Sequence, residues 1–175
     1  MRGEPLFAAL NVALAKARAV SAGGSVVIGA DTVVALDGAA LGKPVDGAAA
    51  TEMLLALRGR AHEVLTGVAL REPNGQEWAG VVSTRVVMRT FSDGEIAGYV
   101  ARGEPFDKAG GYAVQDAEFR PAEAVHGCYL NVVGLPLCAV VAGLAALGHM
   151  VPAGARVGVA PCEVCRAGTP LVAIG

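Results

Sequence analysis

One carboxylate interrupts a nearly continuous apolar run and is the first candidate for chemistry. Asp31 lies between the apolar residues 26–30 and the pair Val33 and Val34, a pattern typical of a strand buried on both faces. A buried carboxylate loses several kcal/mol of hydration free energy unless a partner compensates for it. We therefore expect a metal ion or a lysine beside Asp31, or else a strand end that turns the carboxylate toward water.

Three lysines could bring positive charge to the same place. Lys43 lies in a Gly-Lys-Pro loop just after the Asp31 strand, where an extended backbone or a turn could direct its ammonium at a phosphate. Lys108 precedes the pair Gly110 and Gly111, whose backbone N–H groups could approach an anion, although the spacing is that of neither a P-loop nor a dinucleotide-binding loop. Lys16 lies among alanines of a predicted helix. For Lys16 and Lys43 a solvated side chain is the alternative interpretation.

The other polar residues give less specific signals. Gln115 follows the glycine pair on a β-rich run and could either meet a base edge or cap a strand. The three histidines lack the spacing of a zinc site. Cys162 and Cys165 form a single C-x-x-C, which is half of a zinc or redox motif. These patterns favour no complete zinc site.

The composition excludes several classes of protein. The chain has 175 residues, a formal net charge of −2, 54% hydrophobic and 17% charged residues. That length fits one domain, the apolar content excludes a disordered chain, and the low charge excludes a basic nucleic-acid binder. A polynucleotide partner is therefore not expected.

The order of predicted elements indicates an α/β domain around a mixed sheet. Helical spacing, capping residues and glycines predict helices at 6–20, 46–57, 92–103 and 137–147. Apolar runs predict strands at 25–36, 62–70, 81–88, 112–115 and 128–133, with hairpin turns at Asp37-Gly38 and 73–75 and no assignment for 118–125. Residues 152–175 carry three prolines without helical periodicity and are predicted to form an irregular tail.

Two segments imitate export or membrane signals. Residues 1–19 resemble a signal peptide, but Glu4 and Asn11 interrupt its regions. Residues 128–151 are nearly uncharged and long enough to span a bilayer, but glycines and a proline divide them into a strand, a turn and a helix. Four cysteines are too few for a disulfide scaffold. We therefore expect a cytoplasmic protein without a membrane partner.

Ordered motifs between about residue 3 and residue 148 resemble one family, the Maf-like nucleoside triphosphate pyrophosphatases, also called septum-formation inhibitor proteins. The matching strings are AKA at 15–17, GADTVV at 29–34, LGKP at 41–44, Gly59 with HEVLTGV at 62–68, EP at 104–105 with DKAGGY at 107–112, and NVVGLP at 131–136. The resemblance implies a single Maf-like (ITPase-like) domain over residues 1–150, with a mixed, curved central sheet flanked by helices, and a tail over 151–175.

The resemblance also implies a reaction and assigns roles to residues. Family members hydrolyse a nucleoside triphosphate between its α and β phosphates with a divalent cation, Mg²⁺ or Mn²⁺. Asp31 matches the family's general base or metal ligand, and the Ala-Asp-Thr string resembles the dTTP/UTP subgroup. The positions that match substrate-binding residues are Lys16, Lys43 and Lys108 for the phosphates, and Thr32 and Gln115 for the base. The expected partner is a nucleoside triphosphate, and a homodimer is left open.

The sequence departs from the family at its N-terminus. Members begin with a strand and a loop of the form S-x-S-P-R-R, whose arginines and serines bind the triphosphate. Here residues 1–5 resemble the segment just before the Lys16 helix, so we expect the domain to begin late and to lack that loop. Because arginine forks are strong phosphate ligands, the alternative function is a catalytically impaired nucleotide-binding or regulatory protein linked to cell division.

Overall fold

A computed structural model describes residues 4–151 and places them around one five-stranded sheet. The helices are α1 (Glu4–Ala19), α2 (Gly47–Leu57), α3 (Asp93–Ala101), α4 (Tyr129–Val133) and α5 (Leu137–Ala146), with a 3-10 turn at Ala109–Gly111. The strands are β1 (Val27–Leu36), β2 (Ala39–Leu41), β3 (Ala61–Arg71), β4 (Glu77–Met88) and β5 (Ala122–His126). The α/β class and the single central sheet are confirmed.

The strands follow the order β2-β1-β3-β4-β5, and every described pairing is antiparallel. The sequence analysis expected a sheet of mixed direction. Tight turns after Leu36 and Arg71 make β1–β2 and β3–β4 hairpins, and hairpin neighbours are necessarily antiparallel. The return through α2 then places β3 beside β1 in the opposite direction. No parallel pair remains among residues 4–151.

Helix α1 covers one face of the sheet and lies unusually close to it. Its buried face consists mainly of alanines and Leu10, which pack on Leu65 and Ala69 of β3. A Cβ built on Gly29 of β1 would overlap the backbone oxygen of Ala13. The small residues on both surfaces therefore let the helix backbone approach the strands. This close approach explains why the apolar residues at the interface are small.

The opposite face carries the remaining helices and the larger side chains. Capping groups predicted from the sequence are present: Asp46 accepts a hydrogen bond from the Ala49 backbone at 2.8 Å, and Ser92 and Glu95 form a capping box. The first cluster on this face joins α2 and α3 to the sheet around Leu54, Phe91 and Tyr99. A second cluster packs α5 on Val68, Leu70, Trp78 and Val82.

The predicted strand at 128–133 is wrong, because these residues form the short helix α4. Two adjacent valines favour a strand. In the fold, however, the Asn131 backbone nitrogen donates to Cys128 O at 3.0 Å, and Gly134 ends the turn with a left-handed backbone at φ 116°. The buried side chain of Asn131 also donates to Val64 O of β3 at 2.9 Å. The local hydrogen bond and the tertiary one together stabilise the helical turn against the local preference.

The predicted strand at 112–115 is also wrong. Tyr112 has an extended backbone, at φ −143° and ψ 156°, but no neighbouring strand pairs with it. The Ala113 backbone nitrogen instead donates to the Tyr99 hydroxyl at 3.1 Å, and Asp116 closes a turn onto Ala113 O at 3.1 Å. A side chain of α3 thus supplies the partner that a strand would have needed.

The nearly uncharged segment at 128–151 is divided, as expected, between α4 and α5. None of the helices within residues 4–151 is long and apolar enough to cross a bilayer. The predicted irregular tail and its C-x-x-C at Cys162 and Cys165 lie outside the described residues.

Candidate active site

One cleft brings together the residue matched to the general base and the five residues matched to substrate binding. It has a volume of about 320 Å³ and opens beside the middle of β1. Its lining includes Lys16, Asp31, Thr32, Lys43, Lys108 and Gln115. These residues come from α1, β1 and three loops, so only the folded sheet can place them side by side.

Asp31 and Lys16 form the ion pair at one wall of this cleft. The Lys16 ammonium donates to Asp31 Oδ1 at 2.7 Å and to the Ala30 carbonyl oxygen at 3.0 Å. Of the two compensating partners expected for Asp31, the structure therefore supplies the lysine. No described residue donates a hydrogen bond to Asp31 Oδ2, which leaves this oxygen of a cleft-lining residue available to a ligand.

The close packing of α1 sets this distance. Gly29 lies two residues before Asp31 on β1, and its missing side chain lets the turn of α1 between Ala13 and Ala17 rest directly on the strand. Lys16 belongs to that turn. Its long side chain can therefore reach Asp31 while remaining 53% exposed to solvent.

Asp31 is partly open to solvent because of where it lies in the sheet. The predicted strand at 25–36 was expected to be buried on both faces, but within β1 only Gly29 and the last three residues, Val34, Ala35 and Leu36, are buried. The partner β2 covers β1 only from Val34 onward, and Asp31 pairs only with Gly67 of β3. The Asp31 side chain is 24% exposed, which makes it accessible to a ligand.

Two loops bring the other lysines to the cleft and are joined by backbone hydrogen bonds. The Gly110 nitrogen donates to Gly42 O at 3.0 Å, which ties the Lys43 loop to the Lys108 loop. Gly110 has a left-handed backbone at φ 74°, and a Cβ there would lie 2.9 Å from a methyl group of Val34. A side chain at Gly110 would therefore push the Lys108 loop away from β1.

The glycine pair does not present its N–H groups to an anion, in contrast to the expectation for this motif. The Gly110 N–H is bonded to Gly42 O, and the Gly111 N–H is bonded to Lys108 O at 3.0 Å. The positive charge on this side of the cleft comes from side chains. The glycines instead permit a tight turn against β1.

Lys108 is held rigidly by its neighbours. Its ammonium donates to Glu104 O at 2.7 Å and to Asp107 Oδ1 at 2.6 Å. Burial opposes the charge, but the hydrogen bonds to Asp107 and Glu104 outweigh it and raise the pKa of Lys108. The hydrogen bond and charge of Lys108, with a smaller contribution from Lys43, lower the pKa of Asp107. Both groups are therefore charged at neutral pH.

Other residues that line the cleft are uncharged. Thr32 of β1 donates to or accepts from Thr66 at 2.8 Å, and Val132 with Gly134 at the end of α4 lines the facing wall. Gln115 lies exposed at the rim, in the loop after Tyr112. Its side chain borders the cleft, and the strand that it was alternatively expected to cap is absent.

The sequence analysis missed several residues that shape the cleft. Tyr112 lines it, and its hydroxyl is 2.6 Å from His62 Nε2 in the core. Burial lowers the pKa of His62 to about 4 and raises the pKa of Tyr112, so both are neutral at pH 7. Asp107 also lines the cleft. Its position next to Lys108 was the signal that could have identified it.

The carboxylates present fit a divalent cation that is held mainly by its substrate. Within residues 4–151, no group of three or more histidine, cysteine or acidic side chains is placed to hold a metal ion. Mg²⁺ characteristically binds one or two carboxylates and completes its shell with phosphate oxygens and water. Asp31 Oδ2 offers one such oxygen.

Comparisons with known proteins identify the family of the chain. The sequence profile of the Maf-like protein family matches residues 2–147. The relatives include proteins named dTTP/UTP pyrophosphatase from Thermomicrobium roseum, 52% identical over 114 residues, and from Citrifermentans bemidjiense, 44% identical over 151 residues. The matches cover 65% and 84% of this chain, and 52% and 78% of the respective relatives. The chain thus spans about half of one relative's length and about three quarters of the other's. A match of this extent shows that the chain belongs to the Maf-like protein family.

Proposed function

We propose that this protein is a nucleoside triphosphate pyrophosphatase that acts on dTTP, UTP or modified pyrimidine nucleotides. The observation that carries the proposal is a carboxylate with one unbonded oxygen, Asp31, in a cleft lined by Lys16, Lys43 and Lys108. The names of the relatives support the same substrate class.

The reaction proposed is attack of water on the α phosphorus. A new P–O bond forms to the water oxygen, the bond between the α phosphorus and the bridging oxygen breaks, and pyrophosphate leaves. Asp31 Oδ2 takes a proton from the attacking water or helps to hold the cation. Lys16 fixes the carboxylate through its 2.7 Å contact with Oδ1, which leaves Oδ2 directed at the reaction.

The other two lysines stabilise charge. Negative charge grows on the departing pyrophosphate, and fixed ammonium groups beside it lower the energy of the transition state. Lys108 is oriented by Asp107 and Glu104, whereas Lys43 lies on an exposed loop and is free to follow the substrate. Asp31 would help to hold a Mg²⁺ or Mn²⁺ ion, which would supply further charge neutralisation when bound.

Thr32 and Gln115 are uncharged residues that line the cleft, and we assign them to the base. The proposed place of action is the cytoplasm, in agreement with the low cysteine count. The formation of a homodimer is left open, and sedimentation of the full chain measures it directly.

The test is pyrophosphate release from UTP and dTTP with Mg²⁺, measured for the full chain and for Asp31→Asn. The variant keeps the shape of the side chain and an oxygen for Lys16 but removes the base. We expect its kcat to fall by about 10²- to 10⁴-fold. Glu52→Gln changes an exposed carboxylate on α2 and serves as the matched control with unchanged activity.

Equal activity of Asp31→Asn and the wild type would contradict the role of Asp31. Nucleotide-dependent thermal stabilisation without any turnover would instead favour a nucleotide-binding or regulatory protein.

A further inference from the structure

A row of hydrogen-bonded polar groups runs from the cleft into the core. Thr32 Oγ1 lies 2.8 Å from Thr66 Oγ1, and Thr66 Oγ1 lies 3.0 Å from the backbone carbonyl oxygen of Asn131. Thr66 and Asn131 are both fully buried, whereas Thr32 lines the cleft. The row therefore has one end accessible to a ligand and one end fixed inside the protein.

The direction of these hydrogen bonds follows from the chemistry of the groups. The Asn131 carbonyl oxygen can only accept, so Thr66 must donate its single hydroxyl proton to it. Thr66 then has no proton left for Thr32. The bond between the two threonines requires Thr32 to be the donor, and Thr32 Oγ1 is left as an acceptor on its cleft side.

The inner end of the row is held in place by the core. The Asn131 amide donates to Val64 O at 2.9 Å and to Thr84 Oγ1 at 2.8 Å. Because Val64 O is an acceptor, the amide cannot be flipped without losing this bond. Asn131 also begins the turn that Gly134 closes, so its own carbonyl oxygen has a fixed position.

The outer end of the row is open. Gly134 lies opposite Thr32, and a Cβ built on this glycine would be 3.5 Å from Thr32 Oγ1. A side chain there would cover part of the hydroxyl. The glycine therefore leaves space for a ligand atom to reach Thr32.

We propose that Thr66 and Asn131 are positioning residues that make Thr32 an acceptor, so that it selects a pyrimidine whose ring nitrogen N3 carries a hydrogen. This inference rests on the proposed function and sharpens its substrate class. Uracil and thymine carry a hydrogen on ring nitrogen N3, whereas the N3 of cytosine carries a lone pair. An oxygen restricted to accepting binds the first group and is repelled by the second.

The test compares UTP with CTP in wild type, Thr66→Val and Thr66→Ser. The valine has nearly the shape of threonine but cannot accept the proton of Thr32, which becomes free to rotate and donate into the cleft. We expect the ratio of kcat/KM for UTP over CTP to fall about tenfold in Thr66→Val, the effect of one mismatched hydrogen bond. Thr66→Ser keeps the hydroxyl and is expected to retain the wild-type ratio.

Both substrates are assayed with the same preparation of each variant. A loss of folded protein therefore lowers both kcat/KM values by the same factor and leaves their ratio unchanged. If Thr66→Val destabilises the core too far, Thr32→Val at the partly exposed end removes the acceptor itself and must lower the same ratio. An unchanged ratio in Thr66→Val, or an equal loss in Thr66→Ser, would overturn the inference while the proposed function stands. If the wild type releases no pyrophosphate, the proposed function fails, and the ratio of Kd for UMP and CMP decides the inference on its own.

Discussion

The close approach of α1 to the sheet makes Gly29→Ala an informative substitution. The added methyl group would overlap the backbone oxygen of Ala13 and lie 2.8 Å from the backbone nitrogen of Ala17. These atoms belong to a helix and cannot rotate away as a flexible side chain could. Because real Cβ atoms essentially never come within 3.0 Å of another heavy atom, α1 must move outward.

The displacement needed is about 0.5–1 Å, which a close-packed interior resists. Overpacking of this kind costs about 1–3 kcal/mol, and the rigid backbone places Gly29→Ala near the upper end. The same displacement lengthens the 2.7 Å contact from Lys16 to Asp31. Since misplacement of a catalytic group by about 1 Å can cost 10²-fold in rate, we also expect activity to fall by about 10- to 100-fold.

Urea unfolding with linear extrapolation gives the free energy of unfolding of wild type and variant. The matched control is Gly98→Ala, on an exposed position of α3 where a Cβ would meet nothing within 4 Å. Alanine is the better helix former, so the control is expected to be more stable than wild type by about 0.5–1 kcal/mol. A Gly29→Ala protein as stable and as active as wild type would refute the account of how α1 is placed.

Three further predictions concern stability. Burial lowers the pKa of His62 to about 4 from an ordinary value of 6.5, so the folded state holds the neutral imidazole. The stability that the neutral imidazole contributes is therefore fully present above pH 6.5 and is lost as the pH falls toward 4. Over that interval the wild-type free energy of unfolding should fall by about 2–3 kcal/mol more than that of His62→Gln, and parallel pH profiles would contradict this. Asp46→Ala removes the cap of α2 and should cost about 1 kcal/mol in urea unfolding, with Glu52→Ala as a neutral control. Gly110→Ala forces a side chain onto φ 74° and against Val34, and should lower the thermal midpoint, whereas an unchanged midpoint would show that the loop can shift.

The site residues could be predicted from the sequence, partly from local patterns and partly from the resemblance to a family. A carboxylate inside an apolar strand requires a compensating partner, and the structure supplies Lys16. The caps at Asp46 and Ser92 also lie within a few residues of the groups that they bind. Such patterns do not depend on the rest of the fold.

The remaining features depend on contacts between distant parts of the chain. Val132 and Val133 favour a strand locally, but the buried Asn131 amide bonds to β3 and β4 and holds a helical turn. Gly67 resembles any glycine in a strand, and only the structure reveals α1 against its backbone. The pairing of Thr32 with Thr66 likewise requires the register of β1 on β3.

The most direct test of the proposed reaction is the fate of the water oxygen. We would incubate the full chain with UTP and Mg²⁺ in ¹⁸O-labelled water and follow the products by ³¹P NMR. Attack on the α phosphorus predicts UMP and pyrophosphate, with the label in UMP alone and with turnover lost in Asp31→Asn. Formation of UDP and phosphate, label in the pyrophosphate, or undiminished turnover by Asp31→Asn would contradict the account.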